Sequence, residues 1–149
     1  MTHKSSRIKD LVSGLQGGAL DSRYLGYFVC LNRGEFYLAH EVLEDLWLES
    51  RGAPESDFYK ALIQFTGAFV HLQKNRLGPA AALFRLSKGY LSRFPPIYHH
   101  LDVAELIRLA DVWLGLLIQG GDQINPLATH PPPHLYPRDM EIASSGTSR

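Results

Sequence analysis

The segment from Phe58 to Asn75 is apolar on nearly every side, with its charges, Lys60 and Lys74, near its two ends. A helix that is hydrophobic all round has no face to give to water, so it must lie at the centre of a fold with other elements packed around it. The rest of the sequence supplies such elements. Apolar residues recur at three- and four-residue intervals, Gly, Pro and Asn separate the runs, and no convincing two-residue alternation marks a strand. At 149 residues, 45% hydrophobic and 20% charged, the chain suits one globular domain with an ordinary core.

An amphipathic helix is predicted from about Lys4 to Leu15, with Ile8, Leu11, Val12 and Leu15 on one face ahead of Gly17-Gly18. The next runs from Asp21, a suitable N-cap, to Leu31 and stops at Asn32-Arg33-Gly34. A third follows from Glu35 to Glu49, then the central one, then one from Pro79 to Phe94 that ends before Pro95-Pro96, and one from Asp102 to Gln119 closed by Gly120-Gly121. Short connections force neighbours to run in opposite directions. The expected fold class is all-α, a compact bundle of about five helices built from antiparallel helical hairpins. Residues 1–18 are assigned to the amphipathic N-terminal helix, 19–121 to the helical domain, and 122–149 to a Pro-rich tail, expected to be flexible or to lie extended along the surface.

Chemistry stands out in one place, the helix from Glu35 to Glu49. About 100° per residue puts Phe36, Ala39, Val42, Leu43, Leu46 and Trp47 on one apolar arc, with His40 and then Glu44 along its edge. Four residues apart, these two side chains meet, and an imidazole beside a carboxylate is half of a divalent-metal site or an acid/base pair. On the central helix Ala61, Gln64, Ala68 and His71 form a narrow stripe of small and polar residues, the expected seat of the motif helix. Pairing the two about residues 52–56 sets Glu44 level with Gln64 and His40 level with Ala68, within a turn of His71. The expected site therefore has His40, Glu44 and His71 as metal ligands, with Gln64 and Trp47 as ligand-binding neighbours. Zinc, manganese or iron would suit it, and hydrolysis by a metal-bound water, with Glu44 as ligand or general base, is its chemical extension. The residues define a site and no reaction.

The run Leu31-Asn-Arg-Gly34-Glu-Phe36-Tyr-Leu-Ala-His40-Glu-Val-Leu-Glu44-Asp-Leu-Trp47, with Phe58-Tyr59, Leu62-Ile63-Gln64, His71-Leu72, Asn75 and Gly78 after it, resembles the domain of unknown function 309 family. That family is marked by a His-x-x-x-Glu-x-x-Trp motif, met here by His40, Glu44 and Trp47. The likeness spans about residues 20–94. It implies an all-helical fold and metal binding, and no established activity. Asn32-Arg-Gly34 and Asn75-Arg-Leu-Gly78 also echo each other, in a manner similar to tetratricopeptide-type helices, although such arrays need about three repeats.

The competing reading treats the same side chains as a hydrogen-bond network that fixes helix register in a helical interaction module or homo-oligomer. Exposure separates the two: a site needs an opening and an unfilled bonding position, whereas a register lock is closed and fully paired. Several chemistries leave no trace, since there is no Gly-x-x-x-x-Gly-Lys loop, Gly-x-Ser-x-Gly elbow, Cys-x-x-Cys pair or His-Glu-x-x-His helix. Fifteen Lys plus Arg balance fifteen Asp plus Glu, so neither nucleic acid nor a membrane surface is an expected partner. The lone Cys30 sits in an apolar run as a buried thiol. His99-His100 in a loop and His130 and His134 in the tail are expected to face solvent. Without a secretion-type apolar core in residues 1–10 or a run near the ~20 residues of a bilayer span, a cytosolic location is expected.

Overall fold

The computed structural model describes residues 6–14, 20–121 and 123–138. Six α-helices follow one another: α1 (Ser6–Gly14), α2 (Ser22–Asn32), α3 (Phe36–Glu49), α4 (Ser56–Gln73), α5 (Leu77–Leu91) and α6 (Val103–Gln119). The count exceeds the expected five because α1 packs on α2 and α3 and so belongs to the bundle. The predicted ends of that helix, Lys4 and Leu15, lie outside the described residues. None of the described helices is long and apolar enough to cross a membrane.

The caps follow the sequence. Asp21 and Asp102 accept from the backbone N–H groups of Arg23 and Glu105, each at 2.9 Å, satisfying donors that the first turn of a helix leaves open. Gly34 and Gly52 take φ of +74° and +85°, the left-handed conformation that lets the chain leave one helix and enter the next.

Phe69, at the heart of α4, joins the core. Its ring centroid lies 4.9 Å from Phe36 on α3, 5.3 Å from Phe65, 5.3 Å from Phe84 on α5 and 4.9 Å from Trp113 on α6. The all-round apolar helix is thus central, as its composition requires. On the other side α2 and α3 cross closely at Gly26, where an added Cβ would sit 2.8 Å from Val42 Cγ1. Gly26→Ala gains about 1 kcal/mol of helix propensity but must push back a stiff β-branched side chain. Overpacking of about 1–3 kcal/mol should win, so chemical denaturation of this variant should show a net loss of about 1 kcal/mol.

One small element was not expected. Ile97–Tyr98 and Leu101–Asp102 form a small antiparallel hairpin, β1 and β2, with Tyr98 opposite Leu101. Two-residue strands are too short to carry an alternating pattern. Beyond α6, Asn125 caps a 3-10 turn (Pro126–Ala128) and donates to the Leu72 carbonyl at 2.6 Å. Further on, Asn32 and Leu135 exchange a reciprocal pair of hydrogen bonds: the amide of Asn32 donates to the Leu135 carbonyl (2.8 Å) and accepts from the Leu135 N–H (2.7 Å). Leu135 is buried. The Pro-rich segment therefore lies along the body up to Arg138; the rest of it is outside the described residues.

Candidate functional site

Helix α3 buries Phe36, Ala39, Val42 and Leu43, which leaves His40 and Glu44 on the edge the wheel assigns them. His40 Nε2 stands 3.5 Å from Glu44 Oε2, and the two side chains are 32% and 25% exposed. Tyr37, one turn earlier, sets its ring edge-on to the imidazole, with centroids 5.9 Å apart. Trp47 is half-buried against the core and carries the Arg51 guanidinium 5.6 Å above its ring. Cation–π attraction of this kind is worth about 0.5–1 kcal/mol at an exposed site. Arg51 stands one turn after Trp47, and nothing in the sequence singles it out, because a charge after a helix ordinarily marks a solvated end.

Gln64 and His71 stand on the neighbouring helix, α4. Ala61 and Gly67, which flank Gln64 along the helix, both meet α5: the Ser87 hydroxyl donates to the Ala61 carbonyl at 2.7 Å, and a Cβ on Gly67 would lie 3.1 Å from Leu83. Ala61, the first member of the stripe, thus meets α5 at Ser87, and Gly67 beside the stripe meets Leu83 of the same helix. Helix α3 instead meets α4 through the stacked pair Phe36 and Phe69. Gln64 Oε1 and His71 Nδ1 are buried without a hydrogen-bond partner. Burial, then the charges of Arg76 and Lys74, hold His71 below the ordinary histidine pKa. Among the described residues no group of three or more His, Cys, Asp or Glu side chains is placed to hold a metal ion. His40 and Glu44 are together, and His71 does not join them as a third ligand.

His99, expected from the sequence to face solvent, is the other unusual histidine. His99 Nε2 is buried and has no hydrogen-bond partner. Its ring stacks on Tyr59 (5.8 Å, 6° between planes) and touches Tyr98 at 4.3 Å, Phe58 at 5.5 Å and Tyr24 at 6.3 Å. The hairpin turn puts His99 and His100 at φ of +46° and +62°, where a non-glycine residue costs about 1–3 kcal/mol unless its surroundings impose it. Two bonds from distant parts of the chain do so: the Tyr24 hydroxyl donates to the His99 carbonyl at 2.7 Å, and the Arg138 N–H to the His100 carbonyl at 2.6 Å. Such a turn ordinarily carries Asn-Gly, so His-His gave no warning of it. Cys30 is buried, and burial pushes its thiol up to about 11, so almost no thiolate exists near neutral pH.

Residues 24–83 match the model of the family described as domain of unknown function (DUF309), the family that the His40, Glu44 and Trp47 motif resembles. No curated protein and no solved structure matches the chain.

Proposed function

We propose that this chain, carrying the DUF309 match across α2 to α5, is a small helical binding protein that takes a small polar ligand on the outer edge of α3. The observation that carries this reading is the His40–Glu44 pair, formed at 3.5 Å while a third and a quarter of the two side chains reach solvent. A register lock would be closed. A ligand with an ammonium or amide N–H faces the Glu44 carboxylate and presents an oxygen to the imidazole, whose ring can donate or accept. A flat group reaching Trp47 has to displace Arg51. Among the described residues no third His, Cys, Asp or Glu joins the pair, and two protein ligands make a poor zinc, manganese or iron site, so a polar molecule suits it better than a resident metal. A cytosolic setting belongs to the same reading.

The test is a titration of isotopically labelled protein with short amines and amides at millimolar concentration, followed by nuclear magnetic resonance of the His40 ring. Shifts that saturate, and that vanish in Glu44→Gln, are expected. No response to any member of the panel would overturn the proposal. Near-stoichiometric metal in the purified chain, lost in His40→Ala, would restore the metal reading.

A second reading, a helical interaction module or homo-oligomer built on antiparallel hairpins, is favoured by exposed Leu86 on α5 and exposed Val112 and Ile118 on α6. The hairpin arrangement is supported by Lys60 bonding Tyr90 and Ser87 bonding Ala61, positions that advance along α4 as they retreat along α5. Sedimentation at increasing concentration distinguishes the readings.

A further inference from the structure

We propose that the His99–His100 turn is a proton-operated latch: with His99 neutral it holds residues 136–138 against the body, and protonation of its imidazole, whose Nε2 is buried, releases them about the Leu135 hinge. The released segment is one wall of a cleft of about 460 Å³ whose other wall includes Leu101, Asp102 and Glu105. Releasing it would uncover the acidic N-terminal end of α6.

The parts of the latch are three. First, Arg138 is tied through its backbone N–H to the His100 carbonyl, so losing the turn's left-handed pair of residues removes that tie. Second, the turn is held from inside by the Tyr24 hydroxyl on the His99 carbonyl and by the stack of His99 on Tyr59. Third, the hinge is independent of protons, because Asn32 grips Leu135 through two amide hydrogen bonds.

The titratable groups facing His99 are Tyr24 from α2, Tyr59 from α4, Glu55 at the start of α4, Tyr98 from β1 and its neighbour His100. Glu55 favours the proton and His100 opposes it. The aromatic faces also attract a cation. Against them, Nε2 has no acceptor within reach, so its charged N–H would be buried unbonded. Burial is the dominant influence and holds the His99 pKa below the ordinary value. A histidine depressed in the fold contributes stability that is complete above the unfolded pKa of about 6.5 and is lost as pH falls through the folded value. The latch therefore opens on the acid side.

Amide hydrogen exchange of the full chain across about pH 7.5 to 5 tests it. Arg138 protection should fall by about tenfold or more, with the Leu135 and Leu62 amides unchanged. In His99→Asn, which tolerates positive φ and cannot take a proton, Arg138 should stay protected, whereas His100→Asn should keep the drop. Should His99→Asn fail to fold, the imidazole titration of the unmodified chain decides, since its midpoint has to coincide with the loss of Arg138 protection. Constant Arg138 protection, a drop that persists in His99→Asn, a joint fall of Leu135 and Leu62, or a midpoint about one pH unit away would each overturn the latch.

Discussion

Phe69→Ala should cost about 3–5 kcal/mol of unfolding free energy, the range for truncating a fully buried aromatic, and is expected to be the most damaging single substitution in the bundle. The ring is wholly buried and touches rings from α3, α4, α5 and α6. Its removal opens a cavity that no single helix can close, because each neighbour is held by a different partner. Urea denaturation should show the midpoint falling with an unchanged slope. Leu86→Ala, at a half-exposed position on α5, should stay within about 0.5 kcal/mol of the parent. A Phe69→Ala chain that unfolds within about 1 kcal/mol of the parent would mean that the four helices do not share one core.

Asn32→Ala comes next, at about 2–3 kcal/mol. Each of its two hydrogen bonds to Leu135 is worth about 1 kcal/mol, and the partly buried Leu135 N–H and carbonyl lose their partners together. Leucine at this position would fill the space without restoring the bonds, so Asn32→Leu should be as damaging. Both variants should become sensitive to trypsin at Arg138 while α4 amides keep their protection. Resistance at Arg138 equal to that of the parent would show that other contacts carry the segment.

The same asparagine shows what was readable in advance and what was not. As part of Asn32-Arg33-Gly34 it marked the end of α2 correctly, since a helix end is written in local residues. Its partner lies 103 positions away, and no local pattern points there. The mostly helical run of elements, the cap at Asp21 and the central place of α4 were likewise legible, being set by periodicity and short-range bonding, although about five helices were expected and six are found. The His40–Glu44 pair was legible for the same reason, as two residues on one helix. That Ala61 would meet Ser87 of α5 was not, because α3 and α5 both offer apolar residues and only tertiary packing chooses between them. Nor was the turn at His99, where the conformation is imposed by Tyr24 and Arg138 against the preference of the residues in it.

The clamp on Leu135 also fixes an order of events during synthesis. Every helix from α1 to α6 precedes Leu135 in the chain, and neighbouring helices make their contacts over short separations, which form quickly. The loop closed by Asn32 is the long one and has to wait for its second half to be made. Until then the Asn32 amide stands open beside the end of α2, and whatever binds a nascent helical bundle at that point competes with the chain's own C-terminal segment.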